Sequence, residues 1–275
     1  MENSFIRIGN FDDIKNRHVL THWQDNVEVI KIDEGDMNCM VNSEKFTIRK
    51  GNICIINKKQ LHRISCADEN GCTFKNLFID PSFFTANKKI YDKYIDPILN
   101  NDNVSQIIVN SNTSLNKEIN KLIDEIYYLE KEKPLCYELS VIAYIHLMFK
   151  EIYCYIKTKK IANKKSSSDI VLFMKMTSFI YENFSEKISL DDIASVANIS
   201  RSKCSNIFKK YADNSPIEFL NLYRLEVSIE KLINNDQQIS EMALECGFGQ
   251  QSYYNKLFLR EYKITPSEYR RKYSK

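Results

Sequence analysis

At 275 residues the chain is long enough for two domains, each with a core of its own. Charge is near balance at +3 and the 43% hydrophobic content is ordinary for a soluble protein, so neither a bulk polycation nor a membrane bundle is expected. The opening Met1-Glu2-Asn3-Ser4-Phe5 has no basic start, apolar core or cleavage site, and no secretory leader is expected.

The eight cysteines, Cys39, Cys54, Cys66, Cys72, Cys136, Cys154, Cys204 and Cys246, contain no C-x-x-C pair. That removes zinc-ribbon and thioredoxin-type patterns and fits free thiols in a reducing cytoplasm. Cys66 and Cys72 flank a polar loop, where a redox role is the lesser reading.

From Val27 to about Phe78 the pattern is one of short strands and turns. Val27 to Ile32 runs into a Glu34-Gly35-Asp36 turn, Lys45 to Arg49 alternates, Lys50-Gly51 turns, and Ile53 to Ile56 is a buried strand. Short strands at near-regular spacing predict an antiparallel barrel or sandwich. Inward positions are drawn from Trp23, Val29, Met40, Phe46, Ile48, Cys54, Ile56 and Phe74, a set that describes a packed core as well as a ligand cavity.

Two long helices follow. Leu115, Ile119, Leu122, Ile126 and Leu129 recur at heptad spacing, which suits a dimer seam or a helix packed on its own domain. Cys136 to Lys160 reads as a second helix; its Val141–Ile156 window is apolar but carries His146, Lys150 and Glu151, so a buried helix is expected rather than a membrane span. Asn163 to Ser168 is polar and reads as a flexible linker.

The C-terminal part contains one pattern twice. Ser189 to Tyr211 and Ser240 to Tyr262 each read as two short helices around a turn. Ala194 matches Ala243, Ala197 matches Cys246 and Ile199 matches Phe248 at an offset of 49; Phe208, Ser215 and Pro216 match Phe258, Thr265 and Pro266 at 50. Ser189, Ser200 and Ser240 are N-cap candidates, and Gly247 is placed for a positive-φ bend. In the outer helices, Cys204, Ile207 and Phe208, like Tyr254, Leu257 and Phe258, form inner faces. The opposite faces, Arg201, Ser202, Ser205, Asn206 and Lys209 in one and Gln250, Gln251, Ser252, Asn255 and Lys256 in the other, can bond base edges and phosphates.

Pro216 opens a connecting helix to about Ile233, roughly 27 Å long at ~1.5 Å per residue, set against groove faces about 34 Å apart. From Asp169 onward 15 Lys/Arg face 14 Asp/Glu, so any basic face must be sorted from Arg201, Lys203, Lys209, Lys210, Lys256, Arg270, Arg271 and Lys272.

Gly247-Phe248, Ser252-Tyr253, Phe258, Thr265-Pro266 and Tyr269-Arg270 resemble the C-terminal signature of the AraC/XylS family of bacterial transcription regulators. Lys263 stands where that family usually has glycine and is expected at positive φ; Gln250 stands where a small cap is common. The arrangement of His22-Trp23, Glu28, Glu34-Gly35, Arg49 to Asn52 and His62 is similar to the family's cupin-like sensing barrel. Catalytic cupins hold a metal with histidines and a carboxylate, but Gln24 replaces the second histidine beside His22, Glu28 and His62, so neither metal nor cofactor is expected.

The resemblance implies an α+β chain: a cupin-like sensing barrel at 1–110, a helical pair at 111–162 for dimerisation through the Leu115–Leu129 seam, a linker at 163–169 and an all-α DNA-binding domain at 170–275. It further implies a cytoplasmic, non-enzymatic transcription regulator, more often an activator, with double-stranded DNA, a second copy, RNA polymerase and a small-molecule effector as partners. Competing readings are a metal cupin and a DNA-repair alkyl acceptor carrying the same module, and a DNA-free interaction module.

Overall fold

The computed structural model describes residues 6–10, 20–67, 71–101, 103–158, 168–234 and 237–273, the first of these by backbone only. Contacts divide the chain into two units, one holding 23–158 and the strand at 6–10, the other 20–22 and 168–273.

Among the described residues the first unit is built on eight strands: β1 (Ile6–Asn10), β2 (Val27–Glu34), β3 (Met37–Val41), β4 (Glu44–Ile48), β5 (Ile53–Ile56), β6 (His62–Cys66), β7 (Thr73–Ile79) and β8 (Gln106–Val109). All pairings are antiparallel, in a five-stranded sheet ordered β1-β7-β2-β5-β8 and a three-stranded sheet ordered β4-β3-β6. Gly35 (φ 72) and Gly51 (φ 78) supply the left-handed turns expected of them. After β7 comes a run of short helical turns that includes α1 (Lys88–Ile90) and α2 (Asp96–Leu99). The long helices α3 (Ser114–Glu132) and α4 (Tyr137–Thr158) then cover the five-stranded sheet.

The pleat sorts side chains into two faces. Val27, Val29, Ile53, Ile55, Leu77, Ile79, Ile107 and Val109 meet α3 and α4 in one core. Lys31 and Lys75 on the same face bond Asp124 of α3 at 3.0 and 2.7 Å. Glu28, Ile30, Cys54, Ile56, Phe74 and Asn76 lie on the opposite, barrel-interior face.

This corrects two sequence assignments. Val29 packs on the helices rather than inward, and Met40 lies on the outer face of the three-stranded sheet, in register with Lys45 and Arg63. The heptad seam is corrected as well. Ile119, Leu122, Ile126 and Leu129 are buried in the unit's own core, with Leu115 packed against it. They are therefore not what a second copy would meet. Helix α4 has the length and apolar content to cross a bilayer, but Val141, Ile145, Met148, Phe149 and Ile152 are core residues here.

Among the described residues the second unit is seven helices: α5 (Ser168–Asn183), α6 (Leu190–Val196), α7 (Arg201–Ala212), α8 (Pro216–Asn234), α9 (Ile239–Glu245), α10 (Gln251–Tyr262) and α11 (Pro266–Tyr273). Leu20 joins its core beside α8, α9 and α10, and Thr21 accepts a bond from the Tyr181 hydroxyl at 3.3 Å. Of the expected linker, 163–167 lie outside the described residues, while Ser168 and Asp169 open α5.

Candidate nucleic-acid interface

Two helix pairs, α6 with α7 and α9 with α10, flank the 19-residue α8. In the first pair Ser189 and Asp192 form a reciprocal capping box, closing the orphan amides that start α6. Asn198 (φ 52) makes the turn, and the Ser200 side chain accepts from Lys203 N at the start of α7. Asp213 (φ 59) ends α7 in the left-handed conformation, its N–H bonded to the Lys209 carbonyl.

The second pair repeats the geometry with different chemistry. Gly247 (φ 81) takes the place of Asn198, and Lys263 (φ 62) that of Asp213, at the positive φ expected of it. The N-cap of α9 is Gln238, not Ser240, which falls inside the first turn. Gln250 occupies the N-cap of α10 without a side-chain capping bond.

What braces this second turn is Arg224 of α8, a residue no sequence pattern picked out. It is buried, and it donates from Nε to the Phe184 carbonyl (2.7 Å), from a terminal nitrogen to the Glu186 carbonyl (2.7 Å) and from the other to Asn221 Oδ1 (3.2 Å). Burial lowers its affinity for a proton, and the two carbonyls with the amide oxygen keep the charge satisfied. A Cβ on Gly247 would sit 2.6 Å from the Phe184 oxygen and 2.8 Å from Arg224 Nε. Only glycine fits that place.

The inner faces are buried as expected: Cys204, Ile207 and Phe208 in α7, Tyr254, Leu257 and Phe258 in α10. On the outer faces Arg201, Ser202, Asn206, Lys209, Gln250, Gln251, Ser252, Asn255 and Lys256 are exposed, and Ser205 is half-buried. Several cations of α7 are already paired with aspartates. Arg201 is bonded by both carboxylate oxygens of Asp191, while Lys203 and Lys210 reach Asp169 at 2.6 and 3.6 Å. Those partners hold the carboxyls of Asp191 and Asp169 below the usual range. Arg270 is turned inward, its Nε donating to the Leu232 carbonyl at 3.2 Å, so it caps α8 instead of presenting a free cation. Arg271 and Lys272 remain exposed.

Two family profiles match the chain: an AraC-like ligand binding domain over 11–131 and a helix-turn-helix domain over 193–272. The chain belongs to the AraC family of transcription regulators. An uncharacterized HTH-type transcriptional regulator of Bacillus subtilis, YdeC, is 25% identical, covering 93% of this chain and 87% of that protein. The HTH-type transcriptional activator RhaS of an Enterobacter species is 22% identical, at 90% and 86% coverage. Among solved structures, ToxT of Vibrio cholerae bound to an unsaturated fatty acid shares the fold, with TM-score 0.55 and 16% identity over 97% of this chain and 95% of that one. As an AraC-type regulator the chain pairs a ligand-binding N-terminal domain with a DNA-binding helix-turn-helix domain. The relatives are regulators and not enzymes.

His62 and Glu28 are buried in the barrel interior with His62 Nε2 2.7 Å from the Glu28 carboxylate. Gln24 and Asn76 donate to the same carboxylate at 3.1 and 2.5 Å. Burial opposes charging of His62, but the Glu28 carboxylate overrides it and raises its proton affinity. His22 groups with the helical unit, its Nδ1 2.9 Å from the Leu20 carbonyl. Within the barrel unit this is an ion pair wrapped in amides. The outer face of the three-stranded sheet bears a pocket of about 340 Å³ whose lining includes Asn38, Met40, Lys45, Thr47, Arg63 and Ser65.

Proposed function

We propose that this AraC-type regulator reads two adjacent major grooves, α7 entering one and α10 the next, and activates transcription in the cytoplasm when an effector acts on the barrel unit. The observation that carries the reading is the doubled geometry: two turns and two C-caps related by an offset of 49 to 50 residues, each presenting a polar helix face. In α10, Gln251, Ser252, Asn255 and Lys256 are the base-reading and phosphate-holding candidates; in α7, Arg201, Ser202, Ser205, Asn206 and Lys209 take those roles. At ~1.5 Å per residue α8 spans roughly 28 Å, near the separation of successive groove faces. Activation then requires a contact with RNA polymerase.

A second copy would dock on the outer edge of α4, where Leu139 and Leu147 are 69% and 46% exposed with exposed Ala143 between them. This stripe has no charge at those three positions, so the same patch can meet itself across a two-fold axis. Leu139→Glu with Leu147→Glu should convert a sedimenting dimer to monomer. The effector site best supported is the pocket beside Lys45 and Arg63, whose cationic and apolar lining suits a small amphipathic anion; ToxT, a fold relative, is solved with an unsaturated fatty acid.

The test is selection of genomic fragments followed by binding titrations. Asn255→Ala and Ser205→Ala should each relax preference at defined base positions by about 1–3 kcal/mol, whereas Lys209→Ala should weaken all DNA alike. Equal losses on specific and random DNA for every variant would reject the assignment of faces.

A further inference from the structure

The barrel unit holds a thiol pair that its part in effector binding does not use. β6, of the three-stranded sheet, ends at Cys66; β7, of the five-stranded sheet, begins one residue after Cys72. Both cysteines are reduced, and their sulfurs lie 3.0 Å apart.

The backbone around them is held in place. Cys66 is in register with Met37 of β3, and Thr73 with Glu34 of β2, so both thiols sit beside the β2–β3 turn. At that turn a Cβ on Gly35 would lie 2.6 Å from the Gly71 oxygen and 3.2 Å from the Cys72 Cβ, a measure of how closely the turn presses on the strand that carries Cys72. Cys66 is half-exposed, so an oxidant in solvent can reach the pair.

The other thiols are placed differently. Cys39 and Cys54 also face each other, but both are buried; the hydrogen bond with Cys39, burial and the nearby Glu28 charge all keep the Cys54 thiol protonated. Cys136 and Cys154 are exposed, where they would cross-link copies, and Cys204 and Cys246 are buried in the helical unit.

We propose that Cys66 and Cys72 form a reversible disulfide site that ties the two sheets of the barrel together in response to a peroxide. The Cys66 thiolate attacks one peroxide oxygen; the S–O bond forms, the O–O bond breaks, and water leaves with a proton from solvent. The Cys72 sulfur then attacks Cys66 Sγ, forming S–S, breaking S–O and releasing the second water after its thiol proton is transferred. Two thiols and one hydrogen peroxide thus become one disulfide and two waters. A dithiol reverses the step by exchange. Closing from 3.0 Å to a bond of about 2.05 Å asks for an approach of roughly 1 Å, within reach of side-chain rotation.

The experiment uses the full chain carrying Cys136→Ser and Cys154→Ser, treated with stoichiometric hydrogen peroxide. Expected are a loss of two free thiols, a non-reduced peptide map joining the Cys66 and Cys72 peptides, and full recovery with dithiothreitol. Adding Cys66→Ser should abolish the loss. Peptide mapping of the unsubstituted chain repeats the test without relying on the variants' folding. Retention of all thiols, a bridge joining other cysteines, or Cys66 carried to sulfinic acid without a bridge would each overturn the proposal.

Discussion

The two helix-turn-helix units are copies in pattern and opposites in how they are held. The first is secured locally, by the Ser189–Asp192 box, the Ser200 cap and the Asp191–Arg201 pair, all between Ser189 and Lys203. The second lacks side-chain caps at both helix starts and is braced from a distance by Arg224, which joins α8 to the carbonyls that follow α5. Local capping lets a unit form with little help from its neighbours, whereas a brace makes the second unit conditional on the packing around α8. The same contrast reaches the outer faces. Arg201 and Lys203 of the first are engaged by aspartates, while Lys256 of the second has no ion pair among the described residues. Lys256 therefore meets phosphate without first surrendering a carboxylate, as does Lys209 of the first face, whereas Arg201 must release Asp191.

The largest effect should come from Gly247→Ala. A methyl placed against a backbone oxygen at φ 81 should cost ~3 kcal/mol or more, read as lost hydrogen-exchange protection in α9 and α10. Asn198→Ala, at the matching turn, should cost only about 1 kcal/mol, because the conformation is strained there but nothing equivalent blocks a Cβ that is already present. Equal costs at the two turns would break the comparison.

Next in size is Arg224→Met, which removes three donors from part-buried or buried acceptors and should cost about 1–2 kcal/mol. The loss should fall on the second unit, with the α6 amides exchanging as before. Uniform loss across both units would mean Arg224 braces the whole bundle.

Ser189→Ala should cost the first unit about 1 kcal/mol, and Gln250→Ser should return a few tenths to ~1 kcal/mol to the second by supplying its missing cap. If Gln250→Ser also weakens DNA binding without destabilising α10, Gln250 is retained for contact rather than for capping.

The smallest effect is with pH. The Lys203 bond on Asp169, the Arg201 pair on Asp191 and the Ser189 bonds on Asp192 hold all three carboxyls below their ordinary value of 3.8. Depressed groups stabilise the fold above the unfolded value and lose that contribution as pH falls through the folded one. Protection of α6 and the start of α7 should therefore fade slightly below about pH 4, and the end of α9 should follow, because bonds from Lys231 and Gln237 hold the Glu245 carboxyl below its ordinary value.

Much of the helical unit was legible in the chain because its signals are local. A serine three residues before an aspartate, the repeated apolar spacing and proline at the start of α8 and α11 each act within one helical turn. Ser240 misled because a cap depends on where the preceding backbone bends, and Gln238 bends first. The barrel was less legible. Period-2 alternation separates two faces but does not say which turns inward. Only the packing of one sheet on the other, with Cys54 facing Cys39 and His62 facing Glu28, sends Val29 to the helices and Met40 to the outer pocket.

The chain alone determined the duplicated unit, the glycine turn, the left-handed lysine at 263 and the family, since each rests on residues near one another in sequence. Tertiary structure decided the rest: that the α3 seam serves its own core, that Arg270 faces inward, that Arg224 holds the second turn, and that two thiols from different sheets meet. Those depend on contacts between segments far apart along the chain, where each group takes whichever partner burial leaves within reach.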